Sequence, residues 1–362
     1  MSVAKPSRMR NPRVTINDLA RSLGLAKGTV SRALNGYPDI AEATRVRVTR
    51  AAERMGYRPL AQAQAIRTGR ARALGLVLNA GGDDAHKPFL TDFLDGISRA
   101  ASEESWTLTV ATAQDEADEV ATLARLIDER KVDGFILPRT RLRDARIELL
   151  RARDVPFVLF GRTAEPAGCA WHDISGEGAM RAAVLRLAHR GHTRIGFING
   201  ALDYTYAHLR REGYLAGLTE AGLEIRPELM TSGAITMAQG EAEGERLLAL
   251  AERPTAVVCA LDLAALGLYR AAARHGLRIG ADLAVIGYDG IPEAATAHPP
   301  LTTYAVDSRA AGARLAKLLF ARIRGVDPER LREEVPAQLI ARGSDVAEYH
   351  PDPAAVPDRA GI

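Results

Sequence analysis

Lys27, Thr29, Ser31 and Arg32 fall within one stretch, KGTVSRAL, and set cations and hydroxyls around a stripe of Val30, Ala33 and Leu34 that is free to pack. Donors grouped in this way suit phosphate oxygens and base edges. A second set of polar and aromatic side chains is dispersed along the chain yet shares one kind of position, at or just past the end of a short apolar run. Asn79 ends ALGLVLN, with Asp83, Asp84, His86, Phe89 and Phe93 beyond it; Phe160, Gly161 and Arg162 close PFVLFGR. Asp203, Tyr204, Tyr206 and Arg210 follow FING, Asp262 follows VVCA, and Tyr288 and Asp289 end VIGYD. Rings that stack on C–H faces, with carboxylate and guanidinium groups for adjacent hydroxyls, describe a pocket for a polyol more than for a phosphate.

Catalytic and metal chemistry find no comparable support. His189 and His192 are three apart, but no third ligand cluster accompanies them, so no metal is expected. There is no G-x-S-x-G elbow, ALGLVLNAGG lacks the G-x-G-x-x-G spacing, and no P-loop occurs. An enzyme or a bound cofactor is therefore not expected. The only cysteines, Cys169 and Cys259, are far apart in apolar surroundings and read as reduced, buried thiols.

The donors of the first set need a helix, and the sequence supplies a packed pair. Ile16, Leu19, Ala20 and Leu23 recur at helical spacing, Gly24 breaks the run, and the stripe of KGTVSRAL can pack on the first helix. Thr15 stands before the first helix with Asp18 three residues on, so a hydroxyl can cap it while a carboxylate sits at its positive end. A third helix over about 42–55 turns Val48, Ala51, Ala52 and Met55 to one side, with Gly56 as its stop and Tyr57 as a lid. Residues 1–72 carry 15 Lys and Arg against 4 Asp and Glu, whereas the rest carry 33 against 41. A basic head on an acidic body is the footprint of a chain that meets a polyanion through one end.

The second set needs strands. Apolar runs at 73–79, 106–112, 134–138 and 156–160 alternate with helical stretches near 90–105, 117–130 and 143–153. A further series at 194–200, 255–260 and 283–289 alternates with helices near 176–190, 207–221, 237–251 and 262–275. Two such series predict two doubly wound lobes with parallel sheets, whose ligand lies beyond the carboxyl ends of the strands.

VTINDLA, TVSRALNG, ATRVRV and MGYRP, followed by AQAIRTGRARALGLV, resemble in order and spacing the head and hinge of the LacI/GalR family of bacterial transcription regulators. The likeness runs from about Val14 to Val346. It implies that the second helix lies in the major groove, with Lys27, Gly28 and Arg32 at the base-reading positions. Gly28 departs from the pattern, having no side chain to read with, which leaves Arg32 as the residue able to pair bidentately with guanine. Thr15, Thr29, Ser31, Asn35 and Thr44 complete the expected DNA-facing set. Ala26 and Ala41 stand where the family usually places capping serines, each a loss of about 1 kcal/mol. The stretch 59–68, PLAQAQAIRT, matches the hinge; it is too short and too little amphipathic to be helical alone, and Ile66 matches the apolar wedge driven into the minor groove. In the body Arg210 matches the arginine that holds sugar hydroxyls and Asp289 in GYDG the cleft aspartate, while Leu261-Asp262 stands where Asn-Asp is frequent. Trp171, with His172 and Asp173, falls at the crossing into the second lobe, where it can flank a ligand. FINGALDYTYAHLRREGY and PFVLFGR are similar to the branch that answers to α-glucosides and raffinose-type α-galactosides.

The expected architecture is a basic arm (1–13), a three-helix helix-turn-helix head (14–58), a hinge (59–70), a periplasmic-binding-protein-like α/β body (71–346) and a tail (347–362). Lobe 1 is expected at about 71–170 and 301–331, lobe 2 at about 171–300 and 332–346. The helix from Ser308 should return the chain to the first lobe, and 334–341 to the second. The expected function is a homodimeric repressor on a palindromic operator of double-stranded DNA, released when a sugar fills the cleft. Corepressor action of the purine-repressor kind and a solute-binding protein for uptake are the alternatives. The N-terminal MSVAKPSRMRNPR has charge but no apolar core after it, and no run approaches a bilayer span, so a cytoplasmic protein without a membrane partner is expected.

Overall fold

A computed structural model describes residues 14–57, 69–79 and 87–346. The expected arm, the hinge stretch 59–68 with Ile66, the positions Asp83, Asp84 and His86, the Phe89 side chain and the tail lie outside the described residues. The chain divides after Ala71 into two compact units.

The first unit contains helices α1 (Ile16–Leu23), α2 (Lys27–Leu34) and α3 (Glu42–Met55). At the start of α1 the Asp18 N–H donates to the Thr15 hydroxyl at 3.3 Å and the Thr15 N–H donates to the Asp18 carboxylate at 2.9 Å, a complete capping box. Gly24 and Gly56 end α1 and α3 in the left-handed conformation. Leu19, Val30 and Val48 meet at the centre, surrounded by four buried alanines and lidded by the partly buried Tyr57. Ala26 and Ala41 precede α2 and α3 with no side-chain cap, so both helix starts lack that support.

The second unit carries twelve strands: β1 (Ala73–Asn79), β2 (Thr107–Ala113), β3 (Gly134–Pro138), β4 (Phe157–Phe160), β5 (Ala170–Ser175), β6 (Ile195–Ile198), β7 (Met230–Thr231), β8 (Ala256–Cys259), β9 (Ala284–Asp289), β10 (Thr302–Ala305), β11 (Arg332–Pro336) and β12 (Gln338–Ile340). They form two sheets, ordered β11-β5-β4-β3-β1-β2 and β12-β10-β9-β8-β6-β7. Every neighbouring pair is parallel except β12, which runs antiparallel to β10. Helices cover both faces, and strands buried on two faces read as continuous apolar runs, as β3, β8 and β9 do.

The lobe boundaries differ from expectation. Residues 171–175 and 332–336 are strands of the first sheet, and 302–305 is a strand of the second, paired in parallel with β9. The reason is chemical: β5 alternates buried and half-buried positions, and β10 is half threonine, so neither announces itself as a core strand. Thr302 and Thr303 are nevertheless fully buried, their hydroxyls given to Asp345 and Asp262. The chain crosses between lobes after β5, after β10 and between β11 and β12.

The helix Ser308–Ile323 does return to the first lobe and packs against Lys87–Glu103. The two approach closely enough that a Cβ on Gly96 would lie 2.1 Å from the Arg309 carbonyl oxygen, and one on Gly312 would lie 2.4 Å from that of Phe93. Backbone cannot yield as a side-chain tip can. Gly96→Ala is expected to destabilise the body by about 1–3 kcal/mol through overpacking, read as a lowered urea midpoint at unchanged slope. Gly28→Ala, with nothing within 4 Å of its added methyl, should leave the midpoint unchanged or raise it.

Candidate functional site

On the head, α2 leaves Lys27, Gly28 and Arg32 exposed and Thr29, Ser31 and Asn35 half-buried. The Asn35 amide donates to the Ser31 carbonyl at 2.6 Å, and the Thr15 hydroxyl donates to Asp18 at 2.7 Å. Thr44 lies in the first turn of α3, half-buried. Arg32 is ion-paired with Asp39 and lies over the Tyr37 ring. The expected base reader is thus held by two neighbours.

In the body a cleft, open to solvent, lies where the carboxyl ends of strands from both sheets converge. Phe160, Arg162, Arg210, Tyr288 and Asp289, all expected from sequence, line it. Arg210 rises from the helix Thr205–Glu220 and is clamped between two rings, its guanidinium carbon 4.6 Å from the Tyr206 centroid and 3.9 Å from that of Tyr288. Its Nη1 donates to the Ala260 carbonyl at 2.5 Å, but its Nε and the Tyr206 hydroxyl are buried with no hydrogen-bond partner among the described residues. Each such group left unpaired costs about 1–3 kcal/mol, which a ligand hydroxyl placed there would recover.

Asp289 ends β9 with a φ of 123°, a conformation rarely taken by a residue with a side chain. Burial pushes its carboxyl well above the ordinary carboxylate range, against the pull of Arg210 and Arg139. Arg162 donates from Nε to Asp173 at 2.6 Å and is also ion-paired with Glu177, so its charge is already met. Phe160 is backed by Phe93, stacked at 5.4 Å. The lobes are tied around the cleft by that Arg162–Glu177 pair and by the bonds from Thr205 N–H to the Thr140 carbonyl at 3.0 Å, from Leu142 N–H to that of Asp203 at 3.3 Å, and from the Tyr288 hydroxyl to that of Ile174 at 3.2 Å.

Other expected contacts fall elsewhere. Asp262 does not face the cleft: it is fully buried, accepting from the Gly290 and Ile291 N–H groups at 2.8 and 3.0 Å and from the Thr303 hydroxyl at 2.7 Å. Gly287 makes room for it, since a Cβ there would sit 2.1 Å from the Asp262 oxygen. Trp171 is half-buried in β5, its ring 6.0 Å from the Arg162 guanidinium, and is not part of the lining. Asn79 and Tyr204 line a smaller adjoining hollow that shares Pro138 and Arg139 with the cleft. Tyr204 stacks on Tyr206 at 5.6 Å, with the guanidinium carbons of Arg139 and Arg141 5.3 and 5.8 Å from its centroid. Arg139 and Thr140 were missed although they follow the run GFILP, the same signal that located the others. The aliphatic wall of Leu209, Ile235, Leu263 and Ile291 carries no chemical signature in sequence.

The family model of bacterial regulatory proteins, lacI family, matches residues 15–59, and that of the periplasmic binding protein-like domain matches 184–344. The HTH-type transcriptional regulator AglR of Rhizobium meliloti (strain 1021) is 39% identical over 340 residues, 91% of this chain and 94% of that protein. The chain belongs to the LacI family. Among solved structures of this family, the lac repressor dimer bound to operator and the anti-inducer ONPF is similar with a TM-score of 0.79 at 26% identity, over 93% of this chain and all of that one. The transcriptional regulator CelR–cellobiose complex gives 0.71 at 31% identity, over 92% and 100%. These bear out the expected fold and the DNA-binding, repressor-type regulator class. No described helix of this LacI-family chain is long and apolar enough to cross a membrane.

Asp262 is therefore a brace. Asp262→Ala strands two backbone donors and a hydroxyl and is expected to cost at least about 2 kcal/mol, measured by urea unfolding of the intact chain.

Proposed function

We propose that this LacI-family regulator acts as a homodimer that represses sugar-utilisation genes from a palindromic operator and lets go when a neutral sugar, an α-glucoside or α-galactoside, fills the interlobe cleft. Lys27, Thr29, Ser31 and Arg32 meet the duplex, with Thr15, Asn35 and Thr44 beside them and Ile66 as the minor-groove wedge. The observation that carries the ligand class is Arg210, clamped between Tyr206 and Tyr288 with an unpaired Nε in a cleft that also holds Asp289. Arginine and aspartate together take adjacent hydroxyls, one donating and the other accepting. Among the lining residues Arg139, Arg162 and Arg210 face Asp173 and Asp289, with Glu177 also on Arg162, so positive and negative charge balance and a neutral ligand suits better than a phosphate or an acid. A likeness to a regulator solved with cellobiose, a neutral disaccharide of β linkage, supports a neutral sugar without bearing on the α linkage. The sugar, held by Arg210 and Asp289 of the second lobe, draws in the first lobe through Arg139 and Phe160 on the facing wall, and the shift pulls the paired hinges apart so that operator affinity collapses.

Electrophoretic mobility shift with a panel of α-linked disaccharides tests this, the expected result being release by at least one sugar that also raises the melting temperature. Operator binding unchanged by every sugar that binds the body rules out induction, and tighter binding makes the ligand a corepressor. Arg210→Lys, which loses the planar donor, should weaken sugar binding by about tenfold or more while sugar-free operator binding stays as it is. Asp289 accepts from hydroxyls through both oxygens only as a carboxylate; protonation turns one of them into a donor. Because its pKa is raised, sugar affinity should fall on acidification well before an ordinary carboxylate titrates, and Asp289→Asn should flatten that dependence in calorimetric titrations.

A further inference from the structure

The Arg32 guanidinium is ion-paired with the Asp39 carboxylate and its carbon lies 5.1 Å from the centroid of the Tyr37 ring. Both partners come from the short turn between α2 and α3. Asp39 is the only described carboxylate within 4 Å of Arg32, and no other partner of Asp39 is found among the described residues. The side chains of Arg32 and Asp39 are each 51% exposed and belong to no core, so the pair is not explained by folding, to which exposed ion pairs contribute little. It is also costly for binding. On a segment with 15 Lys and Arg against 4 Asp and Glu, an acid set beside a cation that faces a polyanion lowers affinity for any duplex. An element that penalises every duplex can serve discrimination when the right partner alone offsets the penalty.

We propose that Asp39 is a specificity-determining residue that acts through Arg32, withholding the guanidinium from DNA unless a guanine edge takes the place of the carboxylate. The proposal rests on the reading of Arg32 as the base-contacting arginine. A carboxylate and the O6/N7 edge of guanine both present paired acceptors to a planar fork of N–H donors. At guanine Arg32 exchanges one two-acceptor partner for another, and the Tyr37 ring keeps the plane of the fork. Asp39 is left uncompensated near phosphates whenever Arg32 leaves it, but only at guanine does Arg32 gain an equal replacement, so at any other base it stays withheld on the carboxylate. Asp39 is thus a positioning residue, and its effect is on the ratio of operator to non-operator binding.

The test uses the full-length protein, an operator selected from a random duplex pool and a scrambled duplex of the same length, each titrated at several salt concentrations. Asp39→Asn is expected to raise affinity for the scrambled duplex about tenfold, to steepen the slope of log K against log[salt] by about one, and to raise operator affinity much less, so that the ratio falls. Asp39→Glu should restore most of the ratio. In an Arg32→Ala background, where operator binding is already lost by about tenfold or more, Asp39→Asn should raise both affinities alike, because the partner through which it discriminates is gone. An equal rise for both duplexes in the presence of Arg32 would show Asp39 to be a plain repelling charge and overturns the proposal while leaving Arg32 as base reader. Operator binding unaffected by Arg32→Ala overturns both. Melting curves of each variant, expected to match the parent because Asp39 is exposed, separate these outcomes from misfolding.

Discussion

A carboxylate shut away from water holds the ligand side of the second lobe in place. Asp262 opens the helix Asp262–Arg274, accepts the two N–H groups that follow β9 and takes the hydroxyl of Thr303 on β10. A buried charge is tolerated only when hydrogen bonds meet it, and here backbone and hydroxyl donors do so without a cation in direct contact. The result is a fixed loop at Gly290 and Ile291 directly after Asp289. Tyr288 and Asp289, at the end of the same strand, line the cleft, and the Tyr288 ring forms one wall of the Arg210 clamp. The cleft's polar groups are thereby set before any ligand arrives, which is the condition for recognition without a large ordering cost.

The head is organised on the opposite principle. Its core is small, built from three large aliphatic side chains and alanines, and two of its three described helices begin without a side-chain cap. Its distinguishing property is charge rather than packing. Charge confers long-range attraction for duplex but no sequence information, and in the proposed function discrimination falls to the geometry of a few side chains on and around α2.

Where burial is two-sided and apolar, strands were legible: β3, β8 and β9 read directly as GFILP, AVVC and AVIGYD. β10 did not read as a core strand and its residues were expected in the other lobe, because TTYA hides its burial in hydroxyls satisfied by distant carboxylates, and distance in sequence is what local pattern cannot carry. The same limit explains Asp262. Its place after a strand marked it as a cleft residue, and only the closeness of the loop after β9 turned it into a brace. Arg210 and Asp289 were legible because a helix start and a strand end each point to one location, the convergence of carboxyl ends. Arg139 obeyed that rule as well and was passed over, while the aliphatic wall obeys no rule of residue type.

The interleaving of the two lobes along the chain has a practical bearing on how such a sensor can be rebuilt. The first lobe takes strands from before and after the second, and β11 hands over to β12 across Ala337 alone. No single cut yields one lobe intact: a fragment ending before β10 leaves the second sheet without β10 and β12, and the first without β11 and the helix Ser308–Ile323. Chimeras that exchange the responder near Ala71 respect the covalent grain of the molecule, whereas grafting one lobe would need three splices made together.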